Sequence, residues 1–113
     1  MVDHDAMARA HEIFDPIAQE HLERPDVDIG PMFGTEGLRI RGKVYAFVEH
    51  QGGLIVKVPE PRADELAASG GAERMRMRGR DMREWVTVRP DAGADRWRAL
   101  IDEAQRFVDS ITP

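Results

Sequence analysis

Arginines recur at every second position of ERMRMRGRDMREW, residues 73–85, in a chain whose formal net charge is -5. Alternate side chains of an extended strand lie on one face, so the spacing predicts that Arg74, Arg76 and Arg78 project together. Met75 and Met77 would then face the core. A row of guanidinium groups can bind the phosphates of a polyanion such as duplex DNA. Half-exposed strands also place charges outward as routine, and the sequence leaves both interpretations open.

Basic residues on a second predicted strand enlarge this candidate surface. Arg39 and Arg41 alternate with apolar residues, Lys43 follows at a turn, and the three would extend the surface if they share its face. Interspersed acids dilute the positive charge. No aromatic residue lies between the arginines, so stacking on single-stranded bases is not expected. The full predicted DNA- or anion-binding set is Arg39, Arg41, Lys43, Arg74, Arg76, Arg78, Arg80 and Arg83.

The other reactive side chains do not form a recognisable site. No serine lies in a nucleophile-elbow pattern, and His50 falls at a predicted hairpin tip. His4, His11 and Asp15 fall along one face of a predicted helix, but the close histidine pair typical of a zinc enzyme is absent. The chain has no cysteine, which excludes a thiol nucleophile and a cysteine-ligated metal. We therefore expect no catalytic residue, no metal and no cofactor.

The hydrophobic pattern predicts the elements that position these residues. Helical spacing covers residues 5–23, where Pro16 is expected to interrupt the helix, and residues 95–111. From residue 27 the period changes to two, with Pro31 indicating an edge strand or a bulge. Turns at Gly42-Lys43 and at residues 51–53 join three strands into an antiparallel meander. A short helix over residues 62–68 and a strand over residues 85–88 complete the pattern.

This order of elements predicts an α+β fold. We expect an antiparallel sheet of four to six strands, N- and C-terminal helices packed on it and one short helix between strands. The residues expected to be largely buried are Phe47, Val56, Trp85, Trp97 and Ile101. Phe33 is a further candidate core aromatic, and Lys57, in an otherwise apolar strand, must face solvent or a site.

The composition indicates a globular protein of one domain, residues 1–113. Hydrophobic residues make up 42% of the chain, which argues against disorder. The N-terminal MVDHDAMARAHEIFD lacks the basic and then apolar segments of a signal peptide, and no apolar run approaches the ~20 residues of a membrane helix. We expect a cytoplasmic protein that does not associate with a membrane, as a monomer or a homodimer.

Several short motifs in a fixed order carry a resemblance to a known family. The run MFGTEGLRIRGKVYAFV is followed by LIVKVP, an arginine-containing short helix, a Gly-Gly stop and GRDMREWVTV. This pattern, over roughly residues 27–108, resembles the TfoX N-terminal domain family, which is similar in turn to the MmcQ/YjbR group. The resemblance implies a compact α+β domain and, by analogy, a link to transcriptional regulation or DNA binding.

These observations give three hypotheses for function. The first is a small, non-enzymatic regulatory or DNA-associated module that uses the basic strand surface. The second is a protein-interaction adaptor, because residues 1–29 hold eight acids against two arginines, so the first helix or a sheet edge could recruit a regulatory protein partner. The third, and least favoured, is a small enzyme with an unrecognised pocket.

Overall fold

A computed structural model describes residues 2–32 and 34–113, and it shows one six-stranded antiparallel sheet with helices. The expectation for Phe33 lies outside the described residues. The α+β prediction, with its sheet, terminal helices and short helix between strands, is confirmed. The elements are α1 (His4–Leu22), β1 (Val27–Met32), β2 (Thr35–Ile40), β3 (Lys43–Val48), β4 (Leu54–Lys57), α2 (Glu60–Ser69), β5 (Glu73–Met77), β6 (Arg80–Val88), a 3-10 turn (Pro90–Ala92) and α3 (Ala94–Ile111).

Tight turns join β2, β3 and β4 into the predicted three-stranded meander, and β1 pairs with β2 as a fourth strand. The turn between β2 and β3 uses Arg41 and Gly42, with φ of 46° and 82°, rather than Gly42 and Lys43 as expected. Both residues adopt the left-handed conformation that a two-residue hairpin turn requires, and glycine adopts it without steric cost. β1 is an edge strand, which agrees with Pro31, because proline has no N–H to donate to a further strand.

The second half of the sheet departs from a simple meander. The strand order is β1-β2-β3-β4-β6-β5, so β6 lies between β4 and β5. β4 pairs with β6 from Lys57 opposite Trp85 to Leu54 opposite Val88. The first part of β6, residues 80–84, pairs with β5 alone among the described strands, with Arg76 opposite Asp81. Residues 75–83 therefore form a two-stranded extension, which we call the arginine ribbon.

All three helices contribute to one hydrophobic core on one face of the sheet. Trp97 and Ile101 of α3 are fully buried there, as is Val56 of β4. Phe47 is also buried, but it alternates with core residues of β3 and lies on the opposite face. Trp85 lies on that same face and is only half-buried, so the expectation for Trp85 was too strong. The helices cover the other side of the sheet.

The first helix is continuous, contrary to the expectation that Pro16 interrupts it. α1 runs unbroken from His4 to Leu22, and Asp3 caps its N-terminus by accepting a hydrogen bond from the Ala6 N–H. Pro16 is exposed, so water can satisfy the helix carbonyl that loses its usual donor there. Burial of Phe14 and Ile17 on either side of the proline holds the helix together.

Candidate anion-binding surface

The arginine ribbon carries the freest positive charges of the candidate surface. Arg78 occupies its turn with φ of 55°, followed by Gly79 at 77°. Arg80 and Arg83 follow on β6, and all three arginines are exposed. Within residues 2–32 and 34–113, no carboxylate lies within 4.0 Å of these three guanidinium groups. Most of the other arginines form an ion pair with a carboxylate. Unpaired exposed guanidinium groups are the ones able to bind an incoming anion.

Arg76 is only loosely held beside them. Its Nε lies 3.6 Å from Asp81 Oδ1, and its Nη2 donates to the Gly79 carbonyl at 3.2 Å. The side chain is 69% exposed. Exposed ion pairs of this kind contribute little free energy, so the side chain can exchange the carboxylate for another anion.

Arg74 does not belong to the same row. Its guanidinium pairs with Asp64 of α2 and donates to the carbonyls of Met82 and Arg83. The pairing register between β5 and β6 shifts between Arg74 and Arg76, which separates the two arginines. The expectation that they project together with Arg78 as one strand face is therefore wrong.

Arg39 and Arg41 are engaged on the other half of the sheet. Arg39 donates to both carboxylate oxygens of Asp28 on β1, at 2.9 Å and 2.6 Å, and this hydrogen bonding lowers the pKa of Asp28. Arg41 pairs with Asp109 at 2.6 Å and donates to the carbonyl of Thr112. Three strands separate β2 from β5, so these arginines do not extend the ribbon. Bidentate and multiply bonded guanidinium groups are poorly available to a ligand.

The methionines of β5 also lie elsewhere than expected. Met75 is half-buried and Met77 is 36% exposed, and neither joins the core beneath the helices. Both line a surface depression with Phe47 and His50. The methionines of the ribbon therefore lie near Phe47, on the uncovered face of the sheet.

One group of exposed acidic residues lies on α1, away from the ribbon. α1 contacts β1, β3 and α3, on the half of the sheet opposite to β5 and β6. Its exposed residues include Asp5, Glu12 and Asp15. Asp15 accepts a hydrogen bond from His11 at 2.8 Å, and no group of three potential metal ligands converges in the described part of the chain. The fold thus separates an acidic helix from a basic ribbon.

The sequence analysis missed a buried polar network that joins three elements. His21 of α1 is 1% exposed, and its Nε2 lies 2.9 Å from Asp102 of α3, which also binds Arg24. A carboxylate only accepts hydrogen bonds, so Nε2 carries the proton and Nδ1 accepts from the Tyr45 hydroxyl at 2.7 Å. Burial and the Arg24 charge lower the pKa of His21, and burial raises that of Tyr45.

Tyr45 and His21 are buried away from any substrate, whereas Asp102 and Arg24 are partly exposed. His50 and Lys57, the other side chains considered for chemistry, line two separate surface pockets. The only sequence signal for the network was the position of His21 on the apolar stripe of α1. Its partners lie 24 and 81 residues away, where no local pattern could identify them.

The protein is an α+β domain with helices on one face of its sheet and a basic two-stranded ribbon at one edge. The TfoX N-terminal domain family model matches residues 20–108, and the chain belongs to this family. A search of curated proteins found no match, and a search of solved structures found none either. No helix in the described residues is both long and apolar enough to span a bilayer.

Proposed function

We propose that the protein is a small, non-enzymatic regulatory module that binds the phosphate backbone of duplex DNA through the arginine ribbon. The observation that carries this proposal is the presence of three exposed arginines without a carboxylate partner, Arg78, Arg80 and Arg83, among the described residues of one ribbon. Membership of the TfoX N-terminal domain family supports a regulatory role.

The shape of the ribbon suits a DNA groove. A two-stranded antiparallel ribbon is one of the two elements that fit the major groove of B-DNA. Arg78 lies at the leading turn, and β4 does not pair with this part of β6. Guanidinium groups on such a ribbon would contact phosphates along the groove and orient the protein without reading base sequence.

The charge distribution supports one docking orientation. The chain carries a net charge of -5, and the acidic exposed face of α1 would be repelled by DNA. Because α1 packs on the opposite half of the sheet, the ribbon can approach the duplex while α1 remains distant. Three contacts imply weak, strongly salt-dependent binding, with log K falling by about 2.7 per log unit of salt.

The test is duplex DNA binding by fluorescence anisotropy as a function of salt. We expect the affinity of the parent protein to fall about 40-fold between 50 mM and 200 mM salt, as three phosphate contacts require. Arg78→Gln with Arg80→Gln should leave one contact and reduce that change to about 4-fold. Because both side chains are exposed and unpaired, the thermal stability should not change.

A matched control loses two charges elsewhere. Arg9→Gln with Arg106→Gln changes the net charge equally, and both residues are exposed on the helix layer. If the control weakens binding as much as the ribbon variant, the attraction is unspecific and the ribbon is not the interface. A parent protein that does not bind DNA at low salt would refute the proposal.

The adaptor hypothesis is the second candidate, and the exposed acids of α1 favour it. Asp5, Glu12 and Asp15 form a negative surface suited to a basic partner protein. A stoichiometric partner that is lost on Glu12→Gln with Asp15→Asn, together with no DNA affinity, would establish this function instead.

A further inference from the structure

The only two lysines of the chain, Lys43 and Lys57, line one cavity, although 14 residues separate them in sequence. All other basic side chains of the sequence, apart from histidines, are arginines. The cavity, of about 320 Å³, lies between the C-terminal end of α3, the start of β3, the end of β4 and Trp85 within β6. Its volume is at the lower end of the range typical of small-molecule sites.

Besides the two lysines, the residues that line this cavity are apolar except for Thr112. Val44 and Trp85 come from the sheet, and Val108 and Ile111 come from α3. Ile111 is 53% exposed, which leaves an apolar surface open to a ligand. A ligand site typically combines apolar walls with a small number of polar groups.

The two cations are available to a ligand. Lys57 Nζ lies 5.7 Å from the centre of the Trp85 ring, and its nearest carboxylate, on Glu84, is 4.0 Å away, at the limit of an ion pair. Lys43 is exposed and has no carboxylate within 4.0 Å among the described residues. No acid of residues 2–32 or 34–113 lines the cavity. Because both charged residues of the lining are positive, the ligand that complements it is an anion.

We propose that this cavity binds a small organic carboxylate with an apolar body. The carboxylate would lie between Lys43 and Lys57, and the hydrocarbon part would pack on Trp85 and Ile111. At the roughly 30 Å³ that a water molecule occupies in the liquid, the volume holds about ten non-hydrogen atoms. A six-carbon monocarboxylate fits this space and matches both the charge and the apolar walls.

The pair of lysines gives a direct test by NMR. Reductive methylation with ¹³C-formaldehyde keeps the charge of both lysines and yields only two dimethyl-lysine signals besides that of the N-terminus. Hexanoate should shift both lysine signals and change the fluorescence of Trp85; Trp97, the other tryptophan, is fully buried. Hexan-1-ol lacks the charge and acetate lacks the chain, so both should shift the signals less at equal concentration.

Variants distinguish the site from general charge effects. Lys57→Gln should weaken hexanoate binding about tenfold, the typical loss of one charge-assisted hydrogen bond, and Lys57→Arg should retain most of the affinity. Lys43→Gln, at an exposed position, should also weaken binding without any effect on folding. Arg9→Gln removes an equal charge from α1 and should leave the affinity unchanged.

Three results would overturn the proposal. The first is that hexanoate shifts neither lysine signal. The second is that hexan-1-ol binds as well as hexanoate, since the lysines would then contribute nothing. The third is that Arg9→Gln weakens binding as much as Lys57→Gln, which would make the attraction unspecific.

Discussion

The buried hydroxyl of Tyr45 provides the sharpest test of how the helices are held to the sheet. Tyr45→Phe removes only the donor to His21 Nδ1, at 2.7 Å, and keeps the ring that packs in the core. The ring nitrogen is left buried without a partner. A buried polar atom that loses its hydrogen bond costs about 1–3 kcal/mol.

The expected change is large enough to measure. For a chain of 113 residues the unfolding entropy is about 0.24 kcal/mol per degree, so a loss of 2 kcal/mol lowers Tm by roughly 8 °C. Differential scanning calorimetry and urea unfolding should agree on this loss, with an unchanged dependence on urea concentration. The matched control is Thr87→Val. The Thr87 side chain is half-buried, and its hydroxyl forms no hydrogen bond with the described residues.

Two results would refute this reasoning. One is a Tyr45→Phe protein as stable as the parent, which would mean that the hydrogen bond contributes nothing net. The other is an equal loss in Thr87→Val, which would mean that any hydroxyl removal in the sheet has this effect.

Three further predictions concern His21, two turns and Pro16. The pKa of His21 is about 6.5 in the unfolded chain and lower in the folded protein, so the unfolded chain binds more protons between these two values. The contribution of His21 to stability should therefore be full above pH 6.5 and be lost as the pH falls toward the folded-state pKa. Urea unfolding at a series of pH values measures this change. Gly52→Ala puts a Cβ 2.9 Å from the Ala6 backbone, at a residue with φ of 90°, whereas the space around Gly42 is open. Gly52→Ala should therefore lower the free energy of unfolding by about 2 kcal/mol more than Gly42→Ala does, as urea unfolding can measure. Pro16→Ala restores a helix donor on an exposed turn and should raise the unfolding free energy by about 1–3 kcal/mol.

Local patterns in the sequence predicted most elements of the fold, although β6 begins at Arg80 and not at residue 85. The period of two from residue 27 and the turn glycines predicted the meander, because strand faces and left-handed turns depend on neighbouring residues. Gly70 ends α2 in the left-handed conformation with φ of 79°, as the Gly-Gly stop indicated. The apolar stripe of α3 predicted the burial of Trp97 and Ile101.

Local patterns failed where the outcome depended on distant packing. Pro16 was expected to break α1, but the apolar residues around it pack on the sheet and keep the helix continuous. The regular alternation of arginines suggested one strand face, but the pairing register with β6 shifts between Arg74 and Arg76. Trp85 was expected in the core, but the helices cover the other face of the sheet.

The candidate sites were decided by tertiary structure. The sequence supplied an excess of arginines in residues 74–83, but which of them stay free depends on acids brought from other elements. Asp64 of α2 engages Arg74, and Asp28 of β1 engages Arg39, while Arg78 receives no such partner in the described chain. Lys43 and Lys57 line one cavity only because β3 and β4 pair side by side and α3 ends beside them. Charge pairing acts over a few ångströms in space, so separation along the chain carries almost no information about it.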